Sequence, residues 1–336
     1  MKNNWTIVLA LVALMMFFPN QIFSQDEINF TPSGYFYGTI FSNFHYQLDA
    51  NRNESAFEVQ RAYLGYNYNL TENYSVNIKL DIGSPEQESP YDILKRYAYF
   101  KNAELVYHKQ NFTLHFGLID LCQFKIQEKF WGHRYIYKSF QDEHKFGSSA
   151  DLGASASYVF NDFIAADITI MNGEGYNQLQ NDNTYKTALG ITITPIKSIT
   201  ARFYVDYIEH AEIQTTYVSF LGYKYKDLVK AGIEYNYQFN SSFRKNRNQN
   251  GFSGYVSVNM TDKFEIFGRF DKLWSNTLEG DPYGWNINRD GSAIITGVQY
   301  SPIKNIKIAA NYQDWYPYPK NLDNESHFYL NLEYKF

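Results

Sequence analysis

The 336-residue chain holds one cysteine, Cys122, so no disulfide can form within it. An exported chain with a single thiol must be held by hydrogen-bonded structure and packing instead. Proline is scarce, at nine residues, which leaves long stretches open to regular backbone. The one long apolar run, Trp5 through Phe18, falls short of the roughly 20 residues a spanning helix needs. A mean hydropathy of −0.46 excludes a helical membrane protein, but not a barrel, in which half of each strand faces water. There is no G-x-S-x-G, no H-E-x-x-H and no phosphate-binding glycine loop, and the seven histidines are scattered. The sequence therefore points away from an enzyme and calls for no metal or cofactor. Lys and Arg number 30 against 35 Asp and Glu, a net charge of −5 that argues against nucleic acid as a partner.

The amino terminus has the layout of an export signal. Lys2 precedes the apolar run, and Pro19, Asn20 and Ser24 lead to Gln25. This order of charge, apolar middle and small-residue exit places cleavage after Ser24, giving a signal peptide over 1–24 and one mature domain over 25–336. No linker, internal repeat or low-complexity segment divides that domain.

Tyrosine (31) and phenylalanine (27) are abundant, and they recur with a period of two. In His327–Phe336, Phe328, Leu330, Leu332, Tyr334 and Phe336 share one face, opposite His327, Tyr329, Asn331, Glu333 and Lys335. The same phase sets Val229, Ala231, Ile233, Tyr235, Tyr237 and Phe239 against Lys230, Glu234, Asn236 and Gln238. It returns at 199–207 and 76–82. A soluble sandwich would also alternate, and alternation alone does not say which face is inside.

Connection lengths separate the two. Strands near 34–47, 57–69, 74–82, 95–108, 111–120, 148–160, 163–171, 184–194, 199–209, 214–226, 228–239, 252–260, 264–274, 291–300, 306–315 and 327–336 are joined by short and longer segments in turn. That is the pattern of a bacterial barrel, with tight turns at the periplasmic rim and longer loops outside. The expectation is an all-β, transmembrane, antiparallel up-and-down barrel of about 16 strands in a bacterial outer membrane, contacting its lipid.

The terminal Tyr334-Lys335-Phe336 resembles the assembly signal of many outer-membrane barrels, which implies recognition of Phe336 by the barrel assembly machinery. A further resemblance is to the phosphate-selective porin family, the O and P type porins of Gram-negative bacteria. It lies in Phe57–Gly65, in Val76–Ile82 with Asp81 at its exit, in Glu128–Ile136 and in Ser149–Gly153. The resemblance implies a channel for passive diffusion of small hydrophilic solutes or anions. It also implies a homotrimer, by analogy, and a third external loop, 121–147, folded into the lumen as a constriction. That loop holds Lys125, Lys129, Arg134, Lys138 and Lys145 as constriction candidates, beside Glu128, Asp142 and Glu143. A ring of cations at a narrow point would favour anions; the same charges could instead pair with one another.

Strand phase supplies the lumen candidates: Arg61, Lys79, Asp81, Arg96, Glu104, Arg202, Asp206, Lys230, Glu234, Glu265, Arg269 and Asp271. The two signs are near balance, which also fits a salt-bridge network bracing the wall. The competing functional reading is a barrel with a closed lumen that serves as a scaffold or binding surface.

Overall fold

Regular alternation of apolar and polar residues is what a closed sheet requires in a bilayer. In hydrocarbon, every backbone N–H and C=O must find a partner within the sheet, and closure leaves no edge. The computed structural model describes residues 30–48, 54–83, 97–180 and 182–336, and those from Pro32 onward form one compact unit. The segment 1–24 and Arg96 lie outside the described residues.

Sixteen antiparallel strands form one closed barrel in sequence order. They are β1 (Ser33–Gln47), β2 (Ser55–Asn69), β3 (Tyr74–Gly83), β4 (Tyr97–Lys109), β5 (Phe112–Asp120), β6 (Ala150–Val159), β7 (Ile164–Met171) and β8 (Lys186–Ile196). There follow β9 (Ile199–Glu209), β10 (Ile213–Tyr225), β11 (Val229–Phe239), β12 (Gln249–Asn259), β13 (Phe264–Ser275), β14 (Gly291–Ile303), β15 (Ile306–Pro317) and β16 (Glu325–Lys335). The strands expected from sequence fall on these with ends displaced by three residues or fewer.

The outward phase is apolar. Tyr217, Leu221 and Tyr223 of β10 and Ile233, Tyr235 and Phe239 of β11 are exposed, whereas Thr216, Glu234, Asn236 and Gln238 point inward and are buried. Charge therefore lies inside, the reverse of a sandwich.

Three of the tight turns share a device. Thr71 Oγ1 accepts hydrogen bonds from the N–H groups of Asn73 and Tyr74, and Thr261 Oγ1 does the same for Lys263 and Phe264. Asn161 Oδ1 accepts from Phe163 and Ile164. Each short polar side chain supplies the acceptor that the reversing backbone lacks.

The seam closes where β16 meets β1, from Thr39 against Lys335 to Gln47 against His327. Gly38 N–H donates to the Phe336 carbonyl at 2.9 Å, and Phe336 N–H donates back at 3.1 Å. A Cβ built on Gly38 would lie 2.3 Å from the Phe336 ring, so the last aromatic lies over a position only glycine can occupy.

Two irregularities bend the wall beside the interior. Register shifts opposite Phe41/Ser42 and Lys79/Leu80 leave Gln60 of β2 and Lys101 of β4 as extra residues.

Candidate functional site

The barrel interior is shaped by the connection between β5 and β6. It carries two short helices, α1 (Lys125–Trp131) and α2 (Phe140–Glu143), with Gly132 (φ 73°) ending α1 in a left-handed cap. Its contacts reach far around the wall. Tyr255 Oη donates to the Gln127 carbonyl at 2.8 Å, Arg269 Nη1 to that of Lys138 at 2.7 Å, and Tyr135 Oη to Gln299 Oε1 at 2.8 Å. Lys307 Nζ reaches the Gly132 carbonyl, Gln313 that of Ile136 and Asn331 that of Tyr135. All of these wall residues lie on the inward phase of β12 to β16, so the segment runs across the barrel interior.

Apolar packing fixes it there. Trp131, Tyr135 and Ile136 join Phe41, Phe220, Tyr255, Phe267 and Ile295 in a buried cluster inside the barrel. Trp131 stands 5.6 Å from the Tyr255 ring and 6.0 Å from Phe267, with the Arg269 guanidinium 5.1 Å from its own centroid. Phe130 packs on Phe220, over Gly222, where a Cβ would meet its ring at 2.5 Å.

The candidate cations divide into distinct groups. Arg134 is braced within the loop, by Glu128 at 3.1 Å and Asp142 at 3.2 Å. Lys125 lies 3.8 Å from Asp120, which also receives Lys79 at 3.3 Å. Lys125, Lys129 and Lys145 are exposed, and Lys138 is half-buried. Arg61 pairs with Asp81 at 3.1 Å, and Asp81 also accepts from the Tyr176 hydroxyl at 2.8 Å. Glu104 accepts from Asn77 and lies 2.8 Å from His115 Nδ1. Lys230 is half-buried near Gly132.

Three of the buried inward candidates, Arg202, Glu234 and Arg269, are bonded to the loop. Arg202, 2% exposed, forms a two-pronged pair with Asp167 (2.7 and 3.0 Å) and donates to the Cys122 carbonyl. Arg269 pairs with Asp271 at 2.6 Å. Glu234 accepts from Gln141 of α2 at 3.1 Å. Their polarity serves to hold the loop, since a buried charge must be paired. Asp206 pairs with Lys186 at 3.7 Å, and Glu265 lies 3.6 Å from His133.

Burial also sets the ionisation of groups in the loop. It pushes the Cys122 thiol up, away from the reactive thiolate, and the Glu128 carboxyl up against the opposing effect of Arg134. It holds His133 and His144 down, to about 4. Among the described residues no group of three or more His, Cys, Asp and Glu could hold a metal ion.

One interior residue escapes strand phase. Counting from inward Glu104, alternation sets Lys101 with Ala103 and Leu105 on the lipid side. The bulge turns it inward instead, where its ammonium lies 4.6 Å from the Tyr176 ring centroid and 5.7 Å from that of Tyr63 and bonds Ser149 Oγ. A lysine in an otherwise apolar outward series was the signal available.

Among the described residues, two cavities lie beside the loop. The outer, about 560 Å³, is lined by Tyr137, Glu143, His144, Lys145, Trp285, Arg289, Gln313, Trp315 and Tyr329 among others. The second, about 420 Å³, lies between the loop and strands β15, β16, β1 and β2. It is lined by Phe41, Glu58, Gln60, Arg61, Arg134, Ile136 and Lys138, and shares Tyr137, Glu143, Gln313 and Tyr329 with the first.

A sixteen-stranded closed barrel with an apolar exterior and a charged interior is the fold of outer-membrane porins. Among solved structures, the chain superimposes on Salmonella typhi OmpF, determined with daunomycin, with a TM-score of 0.67 at 9% identity, covering 90% of this chain and 97% of that one. An anion-selective porin from Comamonas acidovorans gives 0.65 at 9% identity (91% and 100% covered). The trimer form of Vibrio cholerae OmpT gives 0.60 at 12% identity (91% and 100%). No protein-family model matches the sequence, and no curated protein does either.

Proposed function

We propose that this protein is a passive diffusion channel for small hydrophilic solutes in a bacterial outer membrane, and not an enzyme. The observation that carries the reading is the pair of cavities beside the loop, which share Tyr137, Glu143, Gln313 and Tyr329 as lining residues and in which we place the route of solute past the loop. A neighbour in fold described as an anion-selective porin supports it, as does the trimer form of an outer-membrane protein for a homotrimeric assembly.

The inner cavity supports a slight preference for anions. Arg61, Arg134 and Lys138 line it against Glu58 and Glu143, while Asp81, Glu128 and Asp142, which pair with the arginines, are not among its lining residues. An excess of one cation in a narrow passage biases permeation without a dedicated phosphate site. The likeness of Phe57–Gly65 and Glu128–Ile136 to phosphate-selective porins is consistent with that bias.

The test is conductance of the purified protein in a planar bilayer under a salt gradient. Discrete openings are expected, with a reversal potential on the anion side. Arg134→Ala with Lys138→Ala leaves one lining cation against two carboxylates and moves that potential toward cations. Absence of openings would favour the closed-lumen scaffold, a reading to which the apolar cluster inside the barrel lends weight.

A further inference from the structure

The outward face of β12 to β15 holds a recess that the channel reading does not use. Near the long-loop rim, the register sets Phe252 beside Lys272, Lys272 beside Ser292 and Ser292 beside Tyr316, one row across four strands. Lys272 lies on the outward phase of β13, between Phe270 and Trp274, whose rings both approach Phe252. Cations of the same region, such as Arg269 and Lys307, point inward.

Position and pairing set Lys272 apart. A lipid-facing lysine is costly at mid-membrane and tolerated near the interface, and Lys272 stands three residues from the end of β13. It is exposed and forms no ion pair among the described residues. An aromatic girdle with a snorkelling lysine would account for the composition alone. The shape goes further: the row forms the floor of a cavity of about 650 Å³, walled by Trp274, Tyr318 and, from the β13–β14 loop, Tyr283.

The chemistry of the recess selects its occupant. Asp290 also lines the recess, but its carboxylate is buried and accepts from Ser275 Oγ at 2.6 Å, so the exposed charge is the Lys272 ammonium. That ammonium beside the Ser292 hydroxyl can bind an oxyanion, and aromatic faces suit the apolar faces of sugar rings. Below them, the outward series Val256, Ile266 and Phe270 continues as an apolar wall fit for acyl chains. We propose that this recess binds the phosphorylated sugar headgroup of a glycolipid in the outer leaflet, with Lys272 pairing with the phosphate. The proposal rests on the orientation of the barrel in the membrane and is independent of conduction.

Native mass spectrometry of the full-length protein, supplied with a bisphosphorylated glucosamine lipid and with its dephosphorylated analogue, tests it. Wild type should retain the phosphorylated lipid in preference to the analogue. Lys272→Ala should lower the retained fraction about fivefold or more, Lys272→Arg should keep it, and Lys263→Ala, in a tight turn at the opposite rim, should leave it unchanged. If Lys272→Ala does not fold, Lys272→Gln serves in its place. Equal retention of the two lipids, or of phosphorylated lipid by wild type and the neutral Lys272 variant, would overturn the proposal. So would an equal loss in Lys263→Ala, which would mark the binding as nonspecific.

Discussion

Removing Trp131 should release the inner loop while leaving the barrel intact. Trp131 is 2% exposed, stands against Tyr255, Phe267 and His133, takes the Arg269 guanidinium on its face and donates Nε1–H to the Tyr137 carbonyl at 2.9 Å. Truncating a buried tryptophan to alanine costs about 3–5 kcal/mol, of which a desolvated cation–π contact supplies up to about 2. Every 1.4 kcal/mol is tenfold, so Trp131→Ala should raise the undocked population of the loop by about two to three and a half orders of magnitude. The tethers from Tyr255, Arg269 and Tyr135 remain, each contributing about 0.5–3 kcal/mol, so docking weakens without vanishing. The wall itself keeps its sheet hydrogen bonds. The assay is single-channel recording beside heat-modifiable gel migration: folded migration should persist, while current noise and faster protease cleavage within 121–147 appear. A folded variant whose noise, conductance and cleavage match wild type would refute the view that this packing holds the loop.

Acid should loosen the same loop. His133 and His144 titrate near 4 when docked, because burial disfavours their charged form, and near 6.5 when released. The released state therefore binds more protons as pH falls below 6.5, and docking is weakened progressively down to about pH 4, by up to about 3 kcal/mol for each histidine. Recording between pH 7 and 4 should show noise rising through that window, and His144→Phe should blunt the change. Gly38→Leu should slow barrel assembly, because its side chain would meet the Phe336 ring; urea-refolding rates followed by gel migration report it. Arg202→Met should be more disruptive than Lys129→Ala in the same assay, since it leaves the half-buried Asp167 without its partner, at a cost approaching the roughly 3–5 kcal/mol of a broken buried pair.

Period-two alternation and turn chemistry are local, and they determined the barrel. Each strand's phase is written in neighbouring residues such as Lys230-Ala231 or Asn331-Leu332, and Thr71, Asn161 and Thr261 mark reversals that need no distant partner. The site is different. Whether an inward charge meets water or protein depends on contacts such as Gln127 with Tyr255 or Tyr135 with Asn331, separated by 128 and 196 residues. Arg202, Glu234 and Arg269 look like Lys79 in sequence, yet the loop covers the first three, and one bulge turns Lys101 from the lipid side to the interior. A strand's own sequence sets which face is polar. Only closure of the sheet and docking of the loop decide which polar residues remain in the passage.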